Sequence, residues 1–211
     1  MSDTAARERI TVYSDYVCPF CYLGRQSLER YQDERDERLA IDWRPFDLRA
    51  RKRGPDGEID HSVDDGKDDD YYEQARENVR RLREQYDAEM AQEIATDVDS
   101  RPAQAVSLHV REAASYETWL AFDEAIFEAL WVDGRDIGDA DVLADCAEAA
   151  GLDPSVVDDA LADDALFARL DEQSDAARRQ GVTGVPTFAY GDHAARGAVP
   201  PAQLRRLVDG I

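Results

Sequence analysis

Residues 10–21 read Ile-Thr-Val-Tyr-Ser-Asp-Tyr-Val-Cys-Pro-Phe-Cys, a run in which a strand pattern passes directly into a pair of cysteines. The first eight residues are mostly β-branched or aromatic and alternate loosely, which predicts a strand over 10–17. Pro19 follows at the position where a helix tolerates proline, and the spacing of apolar residues beyond it predicts a helix to about residue 36. The opening unit is therefore a strand, a cysteine and a helix.

The two cysteines, Cys18 and Cys21, are spaced to lie on one face of the first helical turn, close enough for a disulfide. Cys18 lies at the helix N-terminus, where unpaired backbone N–H groups and the helix dipole favour a thiolate. Since the thiolate is the nucleophile of thiol–disulfide exchange, we expect Cys18 to attack a substrate disulfide and Cys21 to resolve the mixed disulfide. Asp15, near the end of the strand, is a candidate carrier of the Cys21 proton; the alternative is a solvated carboxylate or a turn cap.

A bare CxxC motif has two competing interpretations. A zinc site would need two further ligands from Cys146, His61, His109 and His193, and none of these forms a second closely spaced pair. Two unrelated core cysteines are the other alternative, but the position of the motif after a strand and at a helix start disfavours it. We therefore predict neither a bound metal nor a cofactor.

The middle of the chain changes from strand to helix. Residues 39–46 predict a second strand, joined to the first by a right-handed βαβ crossover. Residues 49–70 contain a basic triplet, a Gly-Pro-Asp-Gly turn and an acidic run, which indicate an exposed loop with solvated charges. From about 70 to 180 apolar residues recur at three and four throughout, so we expect consecutive amphipathic helices packed on one another.

The last part of the chain returns to strands. Residues 185–190 predict a strand, 193–197 a short antiparallel return, and the prolines at 200 and 201 open a final helix. Because Pro186 cannot donate to a strand ladder, it belongs at the start or edge of its strand. A cis Val185–Pro186 bond would leave the Val185 backbone free to pair with an extended peptide beside the thiol.

Together, the CPxC motif, the inserted helices and the Gly-Val-Pro-Thr-Phe segment at 184–188 resemble the DsbA family of the thioredoxin superfamily. The chain looks most like its FrnE-type branch, and the stretches that carry this likeness are residues 16–24, 43–48, 134–139 and 197–201. The resemblance implies an α/β thioredoxin-like fold, βαβ … ββα, with a large all-helical insertion. Residues 1–48 and 181–211 would be the two halves of the thioredoxin-like domain, and 69–180 the insertion.

The same resemblance assigns roles to residues. Cys18 corresponds to the nucleophile, Cys21 to the resolving thiol and Pro186 to the cis-proline. The candidate substrate contacts are Val185, Phe20 and Pro19. The implied activity is that of a thiol-disulfide oxidoreductase, a protein dithiol-disulfide oxidase or isomerase whose partners are protein or small-molecule thiols and disulfides.

Two comparisons within the superfamily bear on that activity. Strongly oxidising DsbA enzymes have histidine where this chain has Phe20, so weaker oxidising power is implied. The 2-hydroxychromene-2-carboxylate isomerases and kappa-class glutathione transferases resemble the chain in architecture but use serine at the position of Cys18. Glutathione-dependent isomerase or transferase chemistry on a small organic substrate is therefore the alternative function.

Charge and composition indicate which kinds of partner and which cellular setting to expect. The net charge of −22 disfavours nucleic acid, because a phosphate backbone needs cationic neutralisation. All but two of the 25 Lys and Arg residues are arginine, and this acidic, lysine-poor surface resembles those of proteins from high-salt cytoplasms, which predicts a halophilic source. The polar N-terminal residues predict neither a signal peptide nor a membrane partner, so a cytoplasmic location is expected.

Overall fold

The structure is a computed structural model in which residues 8–64 and 66–210 are described. This part of the chain forms four strands and eight helices. In chain order they are β1 (Arg9–Ser14), α1 (Pro19–Asp33), β2 (Ala40–Pro45), α2 (Asp69–Gln85), α3 (Arg101–Ala113), α4 (Tyr116–Trp131), α5 (Ala140–Ala149), α6 (Ser155–Leu161), α7 (Asp164–Arg179), β3 (Thr187–Tyr190), β4 (His193–Arg196) and α8 (Pro201–Asp209), with a short 3₁₀ turn at Ala50–Lys52. Within these described ranges, no helix combines the length and apolar character needed to cross a bilayer.

The strands form one mixed sheet in the order β2-β1-β3-β4. β1 and β2 are parallel, and α1 makes the crossover between them. β3 pairs antiparallel with the other edge of β1, and β4 returns from β3 as a hairpin. Val12 lies opposite Trp43 on one side and Phe188 on the other, so the centre of the sheet is apolar. The predicted order of βαβ, helices and ββα is confirmed.

One segment of the predicted helical region, residues 86–100, is not helical, and the expectation of helix throughout is wrong there. Asp87, just beyond α2, has a positive φ of 42°, which turns the chain off the helix axis. The backbone beyond it bonds to α4 instead of to its own turns, because the Ala91 N–H donates to the Trp131 carbonyl at 2.6 Å. A tertiary partner therefore replaces the helical hydrogen bonds.

The turn after β1 is held to the helical layer by aromatic packing. The Tyr16 ring packs edge-on against Phe127 with centroids 4.8 Å apart, and the indole N–H of Trp131 donates to the Tyr16 carbonyl at 2.8 Å. The Tyr16 hydroxyl donates to Asp123, which pairs with Arg25 of α1 at 2.7 Å. Helix α7 contacts both α3 and β2, so the helical layer and the sheet share one core. This packing fixes the start of α1 relative to α4.

Candidate active site

Cys18 and Cys21 occupy the first turn of α1, as predicted. Cys18 is the N-cap residue, Pro19 is the first helical residue, and the Cys21 N–H donates to the Cys18 carbonyl at 2.9 Å. Both side chains are free thiols that are buried, with 5% and 3% exposure. Burial and the hydrogen bond to Cys18 raise the pKa of the Cys21 thiol well above its usual value, while the Asp15 backbone N–H lowers it. Cys21 is therefore protonated in the resting dithiol.

The segment before β3 meets the cysteine pair from the other end of the chain. The Val185–Pro186 peptide bond is cis, as expected, and the Cys18 thiol donates to the Val185 carbonyl at a distance of 3.5 Å. Pro186 is buried and packs against α1 where Gly24 gives it room: a Cβ at that glycine would lie 3.0 Å from Pro186 Cγ. The predicted juxtaposition of Cys18 and the Val185–Pro186 segment is therefore present.

Asp15 is fully buried, so its interpretation as a solvated carboxylate is wrong. One oxygen accepts hydrogen bonds from the Val17 N–H, the Ser100 hydroxyl and the Gln104 side-chain amide, and the other accepts from the Leu48 N–H at 2.9 Å. Burial, together with the nearby charge of Asp47, raises the pKa of Asp15 to about 6 in spite of these donors. The carboxylate caps the turn after β1 and ties it to α3.

A cavity of about 210 Å³ opens beside Cys18. Its walls come from the start of α1, the 48–67 region, the first half of α2 and the irregular segment after it. The residues that line it are Val17, Cys18, Pro19, Phe20, Leu48, Arg49, Lys52, Ile59, His61, Lys67, Tyr71, Tyr72, Ala75, Ile94, Ala95, Thr96 and Asp97. Phe20, predicted as a substrate contact, is half-buried here. The loop predicted to carry solvated charges is largely exposed, but it also forms one wall of this cavity.

Several residues of the site were not identified from the sequence. Ser100 and Gln104, which bind Asp15, lie almost ninety residues away from it, and no local pattern marks them. Gly24 carries a weak signal, because a glycine inside a helix pattern indicates a close approach. The clearest sequence signal for the wall of the cavity is that the two lysines of the chain, Lys52 and Lys67, both lie in one loop.

The residues of the alternative zinc site are not collected around the cysteine pair. Cys146 is buried on α5 and donates to the Ala125 carbonyl, and burial raises the pKa of its thiol to about 11. Among residues 8–64 and 66–210 there is no group of three or more His, Cys, Asp or Glu side chains placed to hold a metal ion. Of the four candidate ligands Cys146, His61, His109 and His193, only His61 is among the described residues that line the cavity beside Cys18.

A family model for DsbA-like thioredoxin domains matches residues 9–209. The chain therefore belongs to the family of DsbA-like thioredoxin domains. Members of this class act on thiols and disulfides, which agrees with the dithiol at the start of α1. The thioredoxin-like fold expected from the sequence is thus confirmed, with four strands and eight helices in the part of the chain that the structure covers.

The proteins that this chain is similar to include one named as an isomerase and one named as a disulfide reductase. The uncharacterised protein YwbO of Bacillus subtilis (strain 168) is 29% identical over 192 residues, which is 90% of each chain. A solved structure of 2-hydroxychromene-2-carboxylate isomerase is 24% identical with a TM-score of 0.70, covering 90% of this chain and 88% of the other. The cytosolic disulfide reductase DsbM of Pseudomonas aeruginosa, solved with GSH, is 19% identical with a TM-score of 0.60, covering 94% and 92%. At these identities the structural likeness concerns the fold.

Proposed function

We propose that the protein is a thiol-disulfide oxidoreductase that works through a mixed disulfide at Cys18. The observation that carries the proposal is the meeting of three groups at the start of α1: Cys18 and Cys21 are buried free thiols at its first turn, and the Val185 carbonyl lies 3.5 Å from the Cys18 sulfur. An extended substrate segment beside Val185 would bring its own sulfur to Cys18. Cys18 is the N-cap residue of α1, so its side chain lies at the positive end of the helix dipole.

The exchange needs two displacements. The Cys18 thiolate attacks one sulfur of the substrate disulfide, and the other sulfur leaves as a thiolate and takes up a proton. Cys21 then loses its proton and attacks the Cys18 sulfur, which forms the Cys18–Cys21 disulfide and releases the second substrate thiol. The substrate gains two electrons and two protons, and the dithiol loses them. A thiol or dithiol of the surrounding cytoplasm returns the pair to the reduced state.

We assign Asp15 the role of accepting the Cys21 proton in the second step. Asp15 adjoins the turn that carries both cysteines, since its carbonyl accepts a hydrogen bond from the Cys18 N–H at 3.1 Å, and a carboxyl whose pKa is about 6 exchanges protons readily near neutrality. The hydrogen bonds from Ser100 and Gln104 hold the carboxylate in one place. Asp15→Asn should therefore slow resolution of a mixed disulfide at Cys18 without slowing its formation.

A glutathione-dependent isomerase or transferase is the second candidate, because the cavity beside Cys18 can hold a small organic molecule. One variant separates the two functions. Cys18→Ser should abolish disulfide reduction, since a serine hydroxyl forms no mixed disulfide. The same variant should keep activity on a hydroxychromene carboxylate if the isomerase assignment is right, because those relatives use serine at this position.

Cys21→Ala supplies the matched test of the leading proposal. Without its resolving thiol the enzyme should accumulate a covalent adduct at Cys18, detected as added mass that a reductant removes. Cys146→Ala is the control, because the Cys146 thiol is buried on α5, away from the described cavity, and its loss should leave the adduct chemistry unchanged. Full disulfide-reductase activity in Cys18→Ser would refute the proposed function.

A further inference from the structure

Ser100 occupies the N-cap position of α3 without capping the helix. Serine is preferred at an N-cap because its side-chain oxygen accepts a hydrogen bond from a backbone N–H of the first turn. The Ser100 side chain makes no such bond. Its hydroxyl is buried and lies 2.5 Å from an oxygen of the Asp15 carboxylate, to which it donates. The hydroxyl therefore serves the carboxylate near the cysteine pair and not its own helix.

Gln104, one helical turn further along α3, belongs to the same cluster. Its side-chain Nε2 lies 2.9 Å from the same Asp15 oxygen and 3.1 Å from the Ser100 hydroxyl oxygen. The amide is fully buried, and its Oε1 has no hydrogen-bond partner among the described residues. A buried polar atom without a partner is costly, so packing of α3 alone would favour an apolar side chain at this position.

The partners of Asp15 differ in what they can do when the carboxyl changes its charge. The backbone N–H groups of Val17 and Leu48 only donate. A hydroxyl both donates and accepts, and a side-chain amide presents a donor and an acceptor that exchange places when the group makes a half-turn. Ser100 and Gln104 are therefore able to donate to the carboxylate and to accept from the protonated acid.

On the basis of the proposed oxidoreductase function, we propose that Ser100 and Gln104 are positioning residues that let the buried Asp15 carboxyl change its protonation state. In the resting dithiol both side chains donate to the carboxylate. When Cys21 attacks the Cys18 sulfur, its proton moves to Asp15. The new O–H then donates to the Ser100 oxygen or to the turned Gln104 amide. The bond to the substrate sulfur breaks as the Cys18–Cys21 bond forms, and the proton finally leaves with the substrate thiol.

The charges around Asp15 do not provide such a reversible partner. Asp47, from the segment after β2, acts on Asp15 as a like charge and is itself paired with Arg53 at 2.5 Å. The titratable groups on the side of α1 are the thiols of Cys18 and Cys21, which belong to the reaction itself. The side chains that α3 directs at the carboxylate are uncharged.

The kinetic test mixes an excess of reduced protein, in a Cys146→Ala background, with dithiodipyridine, an uncharged disulfide. Attack by Cys18 releases one thiopyridone and attack by Cys21 on the adduct releases the second, so the two steps appear as separate absorbance phases. For Ser100→Ala we expect the first phase to be unchanged. The acidic midpoint of the second phase should move up by about one pH unit, with a rate about tenfold lower below it, because hydrogen bonds to a carboxylate are stronger than those to the neutral acid.

Two further variants separate this role from a structural one. Gln104→Leu keeps the size of the side chain and removes the amide, and it should move the midpoint in the same direction. Ser107→Ala is the matched control: it removes an equally buried hydroxyl of α3 that contacts the Tyr16 hydroxyl, and it should leave both phases unchanged. An equal slowing of both phases in Ser100→Ala would overturn the inference, because it would show a general loss of structure.

Infrared titration of the reduced protein measures the same property without any substrate. The carbonyl stretch of the protonated Asp15 acid, identified by its absence in Asp15→Asn, should persist to higher pH in Ser100→Ala and Gln104→Leu. An unchanged midpoint in both variants would overturn the inference and leave the oxidoreductase function standing. If the protein with all its site residues intact does not release the second thiopyridone, Cys21 does not resolve the adduct, and both the proposed function and the inference fall.

Discussion

Asp15→Asn should make the stability of the reduced protein less dependent on pH. The pKa of Asp15 rises from its ordinary 3.8 to about 6 in the folded protein, mainly because the carboxyl is buried. Since the folded-state pKa lies above the unfolded one, the stability that Asp15 contributes is fully present below about pH 4 and is lost as the pH rises through about 6. Asparagine does not ionise, so the variant does not suffer this loss.

The size of the effect follows from the shift. A difference of about two pKa units at 1.36 kcal/mol each corresponds to about 3 kcal/mol between pH 4 and pH 7.5. About half of this change should have occurred by pH 5. Asparagine also loses the match to one of the N–H donors that now bind Asp15, which costs about 1 kcal/mol at every pH. That cost lowers the free energy of unfolding of the variant equally at every pH, so it does not change how the difference between the two proteins depends on pH.

The assay is urea unfolding with a thiol reductant present, at fixed high salt, over about pH 4 to 7.5. The free energy of unfolding of Asp15→Asn minus that of the unmodified protein should rise by about 3 kcal/mol across the range. Asp36→Asn, which removes an exposed carboxylate, is the control for the loss of one charge. A difference that stays constant with pH would refute the reasoning, because it would mean that burial does not destabilise the charged form of Asp15.

Three further outcomes are expected. The melting temperature should rise when salt is increased from about 0.1 M to 1 M, because the Debye length falls from about 10 to 3 Å and screens the charge of −22; an unchanged value would contradict this. The reduction potential, measured in glutathione buffers, should lie between roughly −270 and −120 mV and nearer the lower value, and Phe20→His should raise it; a value at or above −120 mV without the substitution would show that Phe20 is not limiting. Arg25→Met should destabilise the fold by about 3–5 kcal/mol because it leaves Asp123 buried beside the Tyr16 hydroxyl alone, and adding Asp123→Leu should restore most of the loss in denaturant titrations. A double variant as unstable as the single one would contradict that explanation.

Features set within a few residues of chain were predictable from the sequence. Cys18 and Cys21 share the first turn of α1 because their spacing matches one helical turn, and Pro19 starts the helix because its own backbone geometry suits that position. Pro186 stands just before β3 because proline has no N–H to donate to a ladder. The order of strands and helices followed from the same local periodicities. Within the predicted helical region, residues 86–100 departed from it, and there the Ala91 N–H donates to the Trp131 carbonyl of α4. The predicted strands over 10–17 and 185–190 are also shorter in the structure, Arg9–Ser14 and Thr187–Tyr190.

Features that join distant segments depended on the tertiary structure. Asp15 could be placed at a strand end from the sequence, but its burial, which raises its pKa to about 6, depends on distant segments, among them Gln104 of α3 and Ser100 at the N-cap of α3. The sequence predicted that Lys52 and Lys67 belong to a solvated charge run. A charge pattern shows which side chains are polar, but it does not show which surface they face in the fold. Packing of the loop against α1 and α2 is what turns those lysines into the wall of a cavity beside Cys18. Periodicity and spacing act over one or two turns of chain, whereas burial and electrostatic environment are set by whichever segments the fold brings together.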